Sequence, residues 1–161
     1  MEPPRIDLES DAYFMREALR QARRAFRREE VPIGAVIARE GRILARAGNQ
    51  VEELRDATAH AEILAITQAS AAVGDWRLEG CAIYVTKEPC PMCAGAIALA
   101  RIARLVFGAP DPKSGGAGGA FAITQHAGLN HRVETLGGVL AEECAALLKG
   151  FFVAKRAAGA D

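Results

Sequence analysis

Apolar residues recur at helical spacing near both ends of the chain. Between Asp11 and about Arg28 the spacing predicts an amphipathic helix, with a buried face made of Phe14, Met15, Ala18, Leu19, Ala22, Ala25 and Phe26. A second periodic stretch predicts a helix from Val139 to about Ala157. Its inward side chains are expected to be Leu140, Cys144, Leu147, Leu148, Phe151 and Phe152. These two helices should therefore begin and end the folded part of the chain.

Shorter apolar runs follow the first helix. Residues 33–38 and 43–46 are separated by Arg39-Glu40-Gly41-Arg42, which predicts a hairpin because glycine supplies the positive φ that a tight turn needs. Residues 49–57 are polar and irregular. A helix is predicted next, with Thr58 as its N-cap and an end near Val73, where Gly74-Asp75 stops it.

The middle of the chain alternates strand and helix. Residues 81–86 and 105–107 predict buried strands, and Pro91 suits the first position of a helix that runs to about Ala100. Strands joined by so short a crossover should pair in parallel. The order of elements therefore fits a central mixed sheet with helices on both faces.

A glycine-rich segment, residues 111–119, follows these strands. It has too much glycine for regular structure and is too short for a linker between domains. We interpret it as a functional loop or a mobile rim, and a surface excursion is the plainer alternative. One more short element is possible between Phe121 and His126.

Length and composition define a single domain. The chain has 161 residues and is 50% hydrophobic, enough for one substantial core. We expect the domain over residues 11–157, with a loose tail over residues 1–10 and a short C-terminal tail over residues 158–161. No stretch approaches about eighteen uninterrupted apolar residues, so we expect no membrane association. Four cysteines, two of them in a C-x-x-C, favour a reducing compartment, and we expect a cytoplasmic protein.

Charge is balanced, with 20 Lys and Arg against 20 Asp and Glu, so a polyanionic partner would need a local basic surface. The polar face of the first helix offers one, made of Arg16, Arg20, Arg23, Arg24 and Arg27. Glu17 is the only acid between Arg16 and Arg28. The simpler interpretation is a solvated helix face, and the alternative is a stripe that follows nucleic-acid phosphates.

Two short segments combine metal ligands with a spare carboxylate. They read Thr58-Ala59-His60-Ala61-Glu62 and Pro89-Cys90-Pro91-Met92-Cys93, and each lies at a predicted helix start. One imidazole and two thiolates fill three tetrahedral positions around zinc and leave the fourth for water, as in catalytic sites. His60 and Glu62 lie about 200° apart around a helix, so its first turn must face the metal end-on. This pattern is typical of zinc deaminases, in which the Glu moves protons.

Two other interpretations remain for these ligands. A closed structural site would need a fourth ligand, and the available side chains are Cys81, Cys144, His126 and His131. A thioredoxin-like dithiol would use Cys90 and Cys93 but not His60. We favour the open site, because it alone gives Glu62 a role. Cys81 and Cys144 fall within apolar runs and are expected to be small buried side chains.

Longer motifs carry a more specific resemblance. They are VPIGAV (31–36), DATAHAE (56–62), YVTKEPCPMCAGA (84–96), RLVFGA (104–109), NHRVE (130–134), ECAALL (143–148) and FF (151–152). Together they resemble the bacterial tRNA-specific adenosine deaminases over roughly residues 11–156. The metal motifs are shared with cytosine, guanine and nucleotide deaminases, whereas the other segments are more selective.

The resemblance implies a three-layer α/β/α fold of the cytidine deaminase-like kind, with a central mixed five-stranded sheet. It also implies a homodimer that converts the wobble adenosine of a tRNA anticodon to inosine and releases ammonia. His60, Cys90 and Cys93 would hold one zinc ion per chain, and Glu62 would be the catalytic residue. Substrate contacts would come from Asn49, Asp111, Lys113, Ser114 and His126.

Two other functions are compatible with the metal motifs. A free-base deaminase acting on guanine or cytosine would share the centre, and a non-catalytic RNA-binding subunit would keep the fold without the reaction. Glu62 beside three ligands disfavours the second. For an anticodon stem-loop, extruding a base from a single-stranded loop costs only a few kcal/mol. The phosphate contacts are expected from Lys87, Lys113, Arg132, Lys149, Lys155 and Arg156.

Overall fold

The computed structural model describes residues 8–159. Its elements are α1 (Leu8–Arg27), β1 (Gly34–Arg39), β2 (Arg42–Gly48), α2 (Val51–Leu54), α3 (Ala61–Val73), β3 (Ala82–Lys87), α4 (Pro91–Leu99), β4 (Arg104–Ala109), β5 (Glu134–Leu136) and α5 (Ala141–Ala158). Helix α1 begins at Leu8, earlier than the periodicity predicts. Residues 1–7 of the predicted N-terminal tail and residues 160–161 of the predicted C-terminal tail lie outside the described residues.

The five strands form one mixed sheet in the order β2-β1-β3-β4-β5, which confirms the predicted architecture. Strand β1 pairs antiparallel with both β2 and β3, whereas β3, β4 and β5 run parallel to one another. The β1–β2 turn places Glu40 at φ 52° and Gly41 at φ 77°, the two positive values that a tight hairpin needs. The predicted hairpin and the predicted parallel pair are therefore both present.

Both faces of the sheet are buried, so its strands alternate between two hydrophobic clusters. In β1, Ala35 and Ile37 belong to one cluster, whereas Val36 and Ala38 belong to the other. Helices α3 and α4 contribute side chains to the first cluster, and α1 and α5 contribute to the second. This arrangement is the predicted α/β/α sandwich. Among residues 8–159, no helix combines the length and apolar character needed to cross a membrane.

The short helix α2 lies within the segment that was predicted to be irregular. Glu30, which is 1% exposed, accepts hydrogen bonds from Glu52 N at 2.9 Å and Glu53 N at 2.8 Å. A carboxylate at this end of a helix satisfies amide groups that have no partner within the helix. Local sequence could not predict α2, because its cap comes from a residue on the far side of the β1–β2 hairpin.

Two further differences concern the C-terminal part of the chain. The resemblance implies a fifth strand, but its position was not predicted, since only three residues form β5 and none is fully buried. Phe152 was predicted to face inward, but it is 44% exposed, while Phe151 is buried. Neighbouring residues on a helix point about 100° apart, so the core takes one of the two phenylalanines and leaves the other outside.

An ion pair between the buried Asp11 and the partly buried Arg104 joins α1 to the sheet. Asp11, which is 2% exposed, accepts hydrogen bonds from Arg104 at 2.6 and 2.8 Å, so that both of its oxygens face one guanidinium group. Tyr84 donates a third hydrogen bond to Asp11 at 3.2 Å. Burial, followed by the charge of Asp11, raises the pKa of Tyr84 to about 12. The hydroxyl therefore stays protonated and remains a donor.

We predict that Arg104→Met lowers the free energy of unfolding by about 3 kcal/mol, because it leaves the Asp11 carboxylate buried without its cation. Urea denaturation measures the change. The double variant Asp11→Leu/Arg104→Met should recover part of the loss. Glu134→Gln is the control, since Glu134 lies 3.8 Å from Arg104 and is 68% exposed; its effect should stay within about 0.5 kcal/mol. Equal effects of Arg104→Met and Glu134→Gln would contradict this account.

Candidate active site

The starts of α3 and α4 position the predicted metal ligands. His60 is the N-cap residue of α3 and Cys90 is the N-cap residue of α4, each with extended backbone angles. Cys93 lies in the first turn of α4 behind Pro91, and Glu62 lies in the first turn of α3. Neither helix has a side-chain hydrogen bond at its N-cap. The free amide groups and positive ends of two helices therefore lie beside the thiols, where they stabilise negative charge.

The prediction that Thr58 caps α3 is wrong. Its hydroxyl donates a 2.7 Å hydrogen bond to Asp56 Oδ1, and its backbone N donates to the same oxygen at 2.8 Å. Asp56 thus closes a turn before the helix, and α3 starts later, with His60 as its N-cap. Because α3 starts two residues later than predicted, the His60 imidazole lies at its N-terminal end and the first turn of α3 faces the cysteines.

The distances between the ligand atoms fit a zinc ion. The donor atoms of His60, Cys90 and Cys93 lie within 4.8 Å of one another, and His60 Nδ1 is 3.6 Å from Cys90 Sγ and 3.5 Å from Cys93 Sγ. Tetrahedral zinc with bonds of about 2.3 Å to sulfur and about 2.0 Å to nitrogen would separate these atoms by about 3.6 Å. The donor set is therefore suitable in both chemistry and spacing.

Glu62 gives a second indication that something binds here. The residue is 3% exposed, and its Oε1 atom is buried without a hydrogen-bond partner among residues 8–159. Burial raises the pKa of this carboxyl group. A buried acceptor without a partner costs about 1–3 kcal/mol, so such atoms in native proteins usually serve a ligand, a water or a reaction.

The two cysteine thiols differ in acidity. Hydrogen bonds from the Cys93 thiol and from His60 together lower the pKa of Cys90 to about 4, although burial acts in the opposite direction. The same hydrogen bond, together with burial, raises the pKa of Cys93. Cys90 is therefore a thiolate at neutral pH, and metal binding would displace the proton of Cys93.

The proposed fourth ligands lie elsewhere. Within residues 8–159 the only group of metal-binding side chains is His60, Cys90 and Cys93. His131 hydrogen-bonds to the Ile102 carbonyl at 2.7 Å, and Cys81 and Cys144 are buried in the two core clusters as predicted. The geometry consequently favours a three-ligand site over a closed one. The contact of His60 with both sulfurs also disfavours a simple dithiol.

Glu88, which the sequence analysis did not identify, anchors the glycine-rich loop. The residue is 3% exposed and accepts hydrogen bonds from Asp111 N at 3.0 Å, Ala117 N at 3.0 Å and Gly119 N at 2.8 Å. Gly116 N also donates to the Pro89 carbonyl at 2.6 Å. The loop is therefore tied to the residues directly before Cys90, and it is neither a mobile rim nor a detached excursion. The sequence did contain a signal for this role, because Glu88 is an acidic residue placed directly between a buried strand and the Pro89-Cys90 motif.

The residues predicted to contact substrate within this loop form one compact turn. Asp111 accepts hydrogen bonds from Lys113 N at 3.0 Å, from Ser114 N at 3.1 Å and from the Ser114 hydroxyl at 2.7 Å. Lys87 Nζ lies 3.2 Å from the same carboxylate. Burial alone would raise the pKa of Asp111, but these hydrogen bonds and Lys87 lower it. Asp111, Lys113 and Ser114 are thus held in fixed relation to each other.

The other two predicted contact residues lie on separate segments. Asn49 is 6% exposed, and the next residue, Gln50, donates from its backbone N to the Ala59 carbonyl at 3.0 Å. This bond holds the Asn49 segment against the residues that precede His60. His126 is exposed, and its Nδ1 accepts a hydrogen bond from Gly128 N at 2.9 Å.

This fold and site define the class of the protein as a deaminase. Residues 9–156 match the family of MafB19-like deaminases, and the chain belongs to that family. A guanine deaminase from Nitrosomonas europaea shares the fold with a TM-score of 0.76 over 93% of each chain, at 22% sequence identity. At that level of identity the likeness concerns the fold alone.

Closer relatives narrow the class. The tRNA-specific adenosine deaminase of Bacillus subtilis (strain 168) is 49% identical over 142 residues, which cover 88% of each chain. A solved structure from work on A-to-I editing by tRNA:A34 deaminases at the wobble position of transfer RNA has a TM-score of 0.81 at 47% identity, covering 84% of this chain and 98% of that chain. The chain belongs to the family of tRNA-specific adenosine deaminases, and the resemblance seen in its motifs is confirmed.

We predict that Glu88→Gln loosens the glycine-rich loop, because an amide NH₂ group would face a backbone N–H that now has an acceptor. The expected loss of stability is about 2 kcal/mol. Hydrogen exchange should become faster at the Ala117 and Gly119 amides. Glu79→Gln, at an exposed position, serves as the control. Unchanged exchange at both loop amides would show that Glu88 does not hold this segment.

Proposed function

We propose that this protein is a zinc-dependent hydrolase that converts adenosine to inosine at the wobble position of a tRNA anticodon and releases ammonia. The observation that carries the proposal is the geometry of the site, in which His60, Cys90 and Cys93 converge beside a buried Glu62 oxygen that has no partner among the described residues. The relative with 49% identity supports the choice of substrate. The free cysteines favour a reducing compartment such as the cytoplasm.

His60, Cys90 and Cys93 would hold one zinc ion per chain. When bound, zinc supplies a Lewis acid that makes water nucleophilic near neutral pH. The amide groups at the starts of α3 and α4 offset the charge of two thiolates. The buried walls around Cys93 and Glu62 exclude bulk water and so strengthen these interactions.

Glu62 would move the protons of the reaction. Its carboxylate takes a proton from the attacking water as the new C–O bond forms at C6 of the purine. It then returns the proton to the exocyclic nitrogen as the C–N bond breaks, so that water and adenosine become inosine and ammonia. Burial raises the pKa of Glu62, and a carboxyl group with a raised pKa exchanges protons more readily near neutral pH.

The fixed loop would receive the flipped nucleotide. A base in a single-stranded anticodon loop leaves its stack at a cost of only a few kcal/mol. We assign substrate contacts to Asn49, beside the start of α3, and to the turn formed by Asp111, Lys113 and Ser114, with His126 near the RNA backbone. Because Glu88 holds the turn in place, little ordering would be needed when RNA binds.

Phosphate contacts would come from basic side chains of β3, of the loops that follow β4 and of α5. Five of the expected residues are exposed, namely Lys113, Arg132, Lys149, Lys155 and Arg156. Lys87 is partly neutralised by Asp111 at 3.2 Å, so its contribution should be smaller. Binding of an anticodon stem-loop should consequently weaken with added salt.

We predict that Glu62→Gln lowers kcat on an anticodon stem-loop by about 10²- to 10⁴-fold, because the variant cannot accept a proton. Inosine formation measures the rate, and zinc content should stay near one per chain. Cys90→Ser should lose both zinc and activity, whereas Cys144→Ser, at a buried position outside the ligand group, should keep its zinc.

The same assay separates the alternatives. Free adenosine, guanine and cytosine are tested beside the stem-loop, with ammonia as the product measured. Turnover of a free base without activity on RNA would select the free-base deaminase. Loss of zinc from Glu62→Gln would mean that Glu62 is a ligand, and the assigned role would then be wrong.

We also infer that the protein acts as a homodimer. Met92 is 37% exposed and Leu99 is 71% exposed, and they lie two turns apart along α4, on one side of that helix. Gly95 and Ala96 lie between them, and their small side chains would allow another helix to approach this side of α4 closely. An exposed apolar stripe beside the metal ligands is a suitable contact for a second copy.

We predict that Leu99→Lys shifts the protein from dimer to monomer, because the charge would be buried at the contact. Light scattering after size-exclusion chromatography measures the mass. Val153→Lys is a matched control, since Val153 is 48% exposed on α5, on the opposite side of the sheet. A monomeric parent protein, or equal effects of the two variants, would refute this interface.

A further inference from the structure

A cleft lined by arginine lies between α1 and β2, away from the metal ligands. Its volume is about 570 Å³, and its basic side chains are Arg20, Arg23, Arg24, Arg27 and Arg46. Glu17 is the one acidic side chain that lines it. Five guanidinium groups against one carboxylate make this cleft strongly basic.

Most of these charges have no internal partner. Glu17 lies 3.4 Å from Arg20 and 3.6 Å from Arg46, and so connects α1 to β2. Arg23, Arg24 and Arg27 form no ion pair or side-chain hydrogen bond with the residues that the structure describes. Cations that recur three or four residues apart repel each other along a helix. The helix dipole favours Arg24 and Arg27 in the last turn, but it does not account for Arg20 or Arg23.

The basic cleft continues toward a residue of the active site. A second cavity of about 160 Å³ shares Gln21, Arg24 and Arg46 with the first and extends to Asn49 and Gln50. It runs around β2, the edge strand of the sheet. The metal ligands start α3 and α4, which cover the other face. A strand of RNA that leaves the active site could therefore reach the arginines by passing this edge.

We propose that the arginine cleft binds the phosphate backbone of the tRNA outside the anticodon loop. The proposal rests on the function proposed above, since it adds a second contact region to the same substrate. Guanidinium groups match phosphate geometry with paired hydrogen bonds and lose less hydration than ammonium groups do. Arg20 to Arg27 span about 10 Å of the helix axis at about 1.5 Å per residue, which is long enough for more than one phosphate.

The test compares two RNA ligands by direct binding across a salt series. One is the full-length tRNA, and the other is its anticodon stem-loop alone. The variant Arg20→Gln/Arg23→Gln/Arg27→Gln should bind full-length tRNA about tenfold more weakly, and its slope of log Kd against log salt should fall by roughly 2. Its affinity for the stem-loop, and its kcat on the stem-loop, should match the parent protein.

Two further variants complete the test. Arg39→Gln/Arg42→Gln/Arg77→Gln removes the same charge at exposed positions outside the cleft and should bind tRNA as the parent does. Glu17→Gln releases two arginines and should tighten binding of full-length tRNA. Inorganic phosphate at millimolar concentration tests a small-anion site: protection of the parent from thermal unfolding, with unchanged tRNA binding by the cleft variant, would overturn the RNA assignment.

The outcomes separate this inference from the proposed function. Equal loss of tRNA binding in the two triple variants, or equal loss on both RNAs, would overturn the cleft as a distinct contact region. Absence of inosine with the parent protein would refute the proposed reaction instead. Because the cleft is tested by binding, its result does not depend on that reaction.

Discussion

The site depends on the meeting of two helix starts. Helices α3 and α4 cover the same face of the sheet, and the first turn of each lies against the ligands. Neither start is capped by a side chain, so amide groups of both remain available to negative charge. This arrangement stabilises the Cys90 thiolate, and it would stabilise a second thiolate at the buried Cys93 when a metal displaces the proton of that thiol.

Three buried acidic residues hold separate parts of this fold together. Glu30 caps α2, Glu88 holds the glycine-rich loop and Asp11 joins α1 to β4, and each is almost fully buried. Their charges are balanced by backbone amides or, for Asp11, by the partly buried Arg104. The outer surface therefore keeps a larger share of the cations, although the whole chain has 20 basic and 20 acidic residues. A formal charge of zero therefore conceals an uneven distribution, with these acids inside the fold and five arginines gathered along one cleft.

Turns and helix ends that depend on a few neighbouring residues could be predicted from the sequence. The hairpin at Glu40-Gly41, the helix start at Pro91 and the helix end at Gly74 each follow from one residue's allowed backbone angles. The cap of α3 was misread, because Thr58 found a closer acceptor in Asp56. Helix α2 and the role of Glu88 were missed for a different reason. Their stability comes from hydrogen bonds between residues more than 20 positions apart.

The sequence by itself determined that the strands are covered by helices on both faces, because this follows from the hydrophobic periodicity. It also determined the types of metal ligand, through their donor chemistry, and the family, through its extended motifs. Only the tertiary structure decided that His60 lies 3.5 to 3.6 Å from both sulfurs and that Glu62 Oε1 is buried beside them without a partner among residues 8–159. It also decided that arginines of α1 and β2 line one cleft. The physical reason is that a local pattern specifies which face of an element is buried. Distances between elements arise only when the whole sheet and its helices pack together.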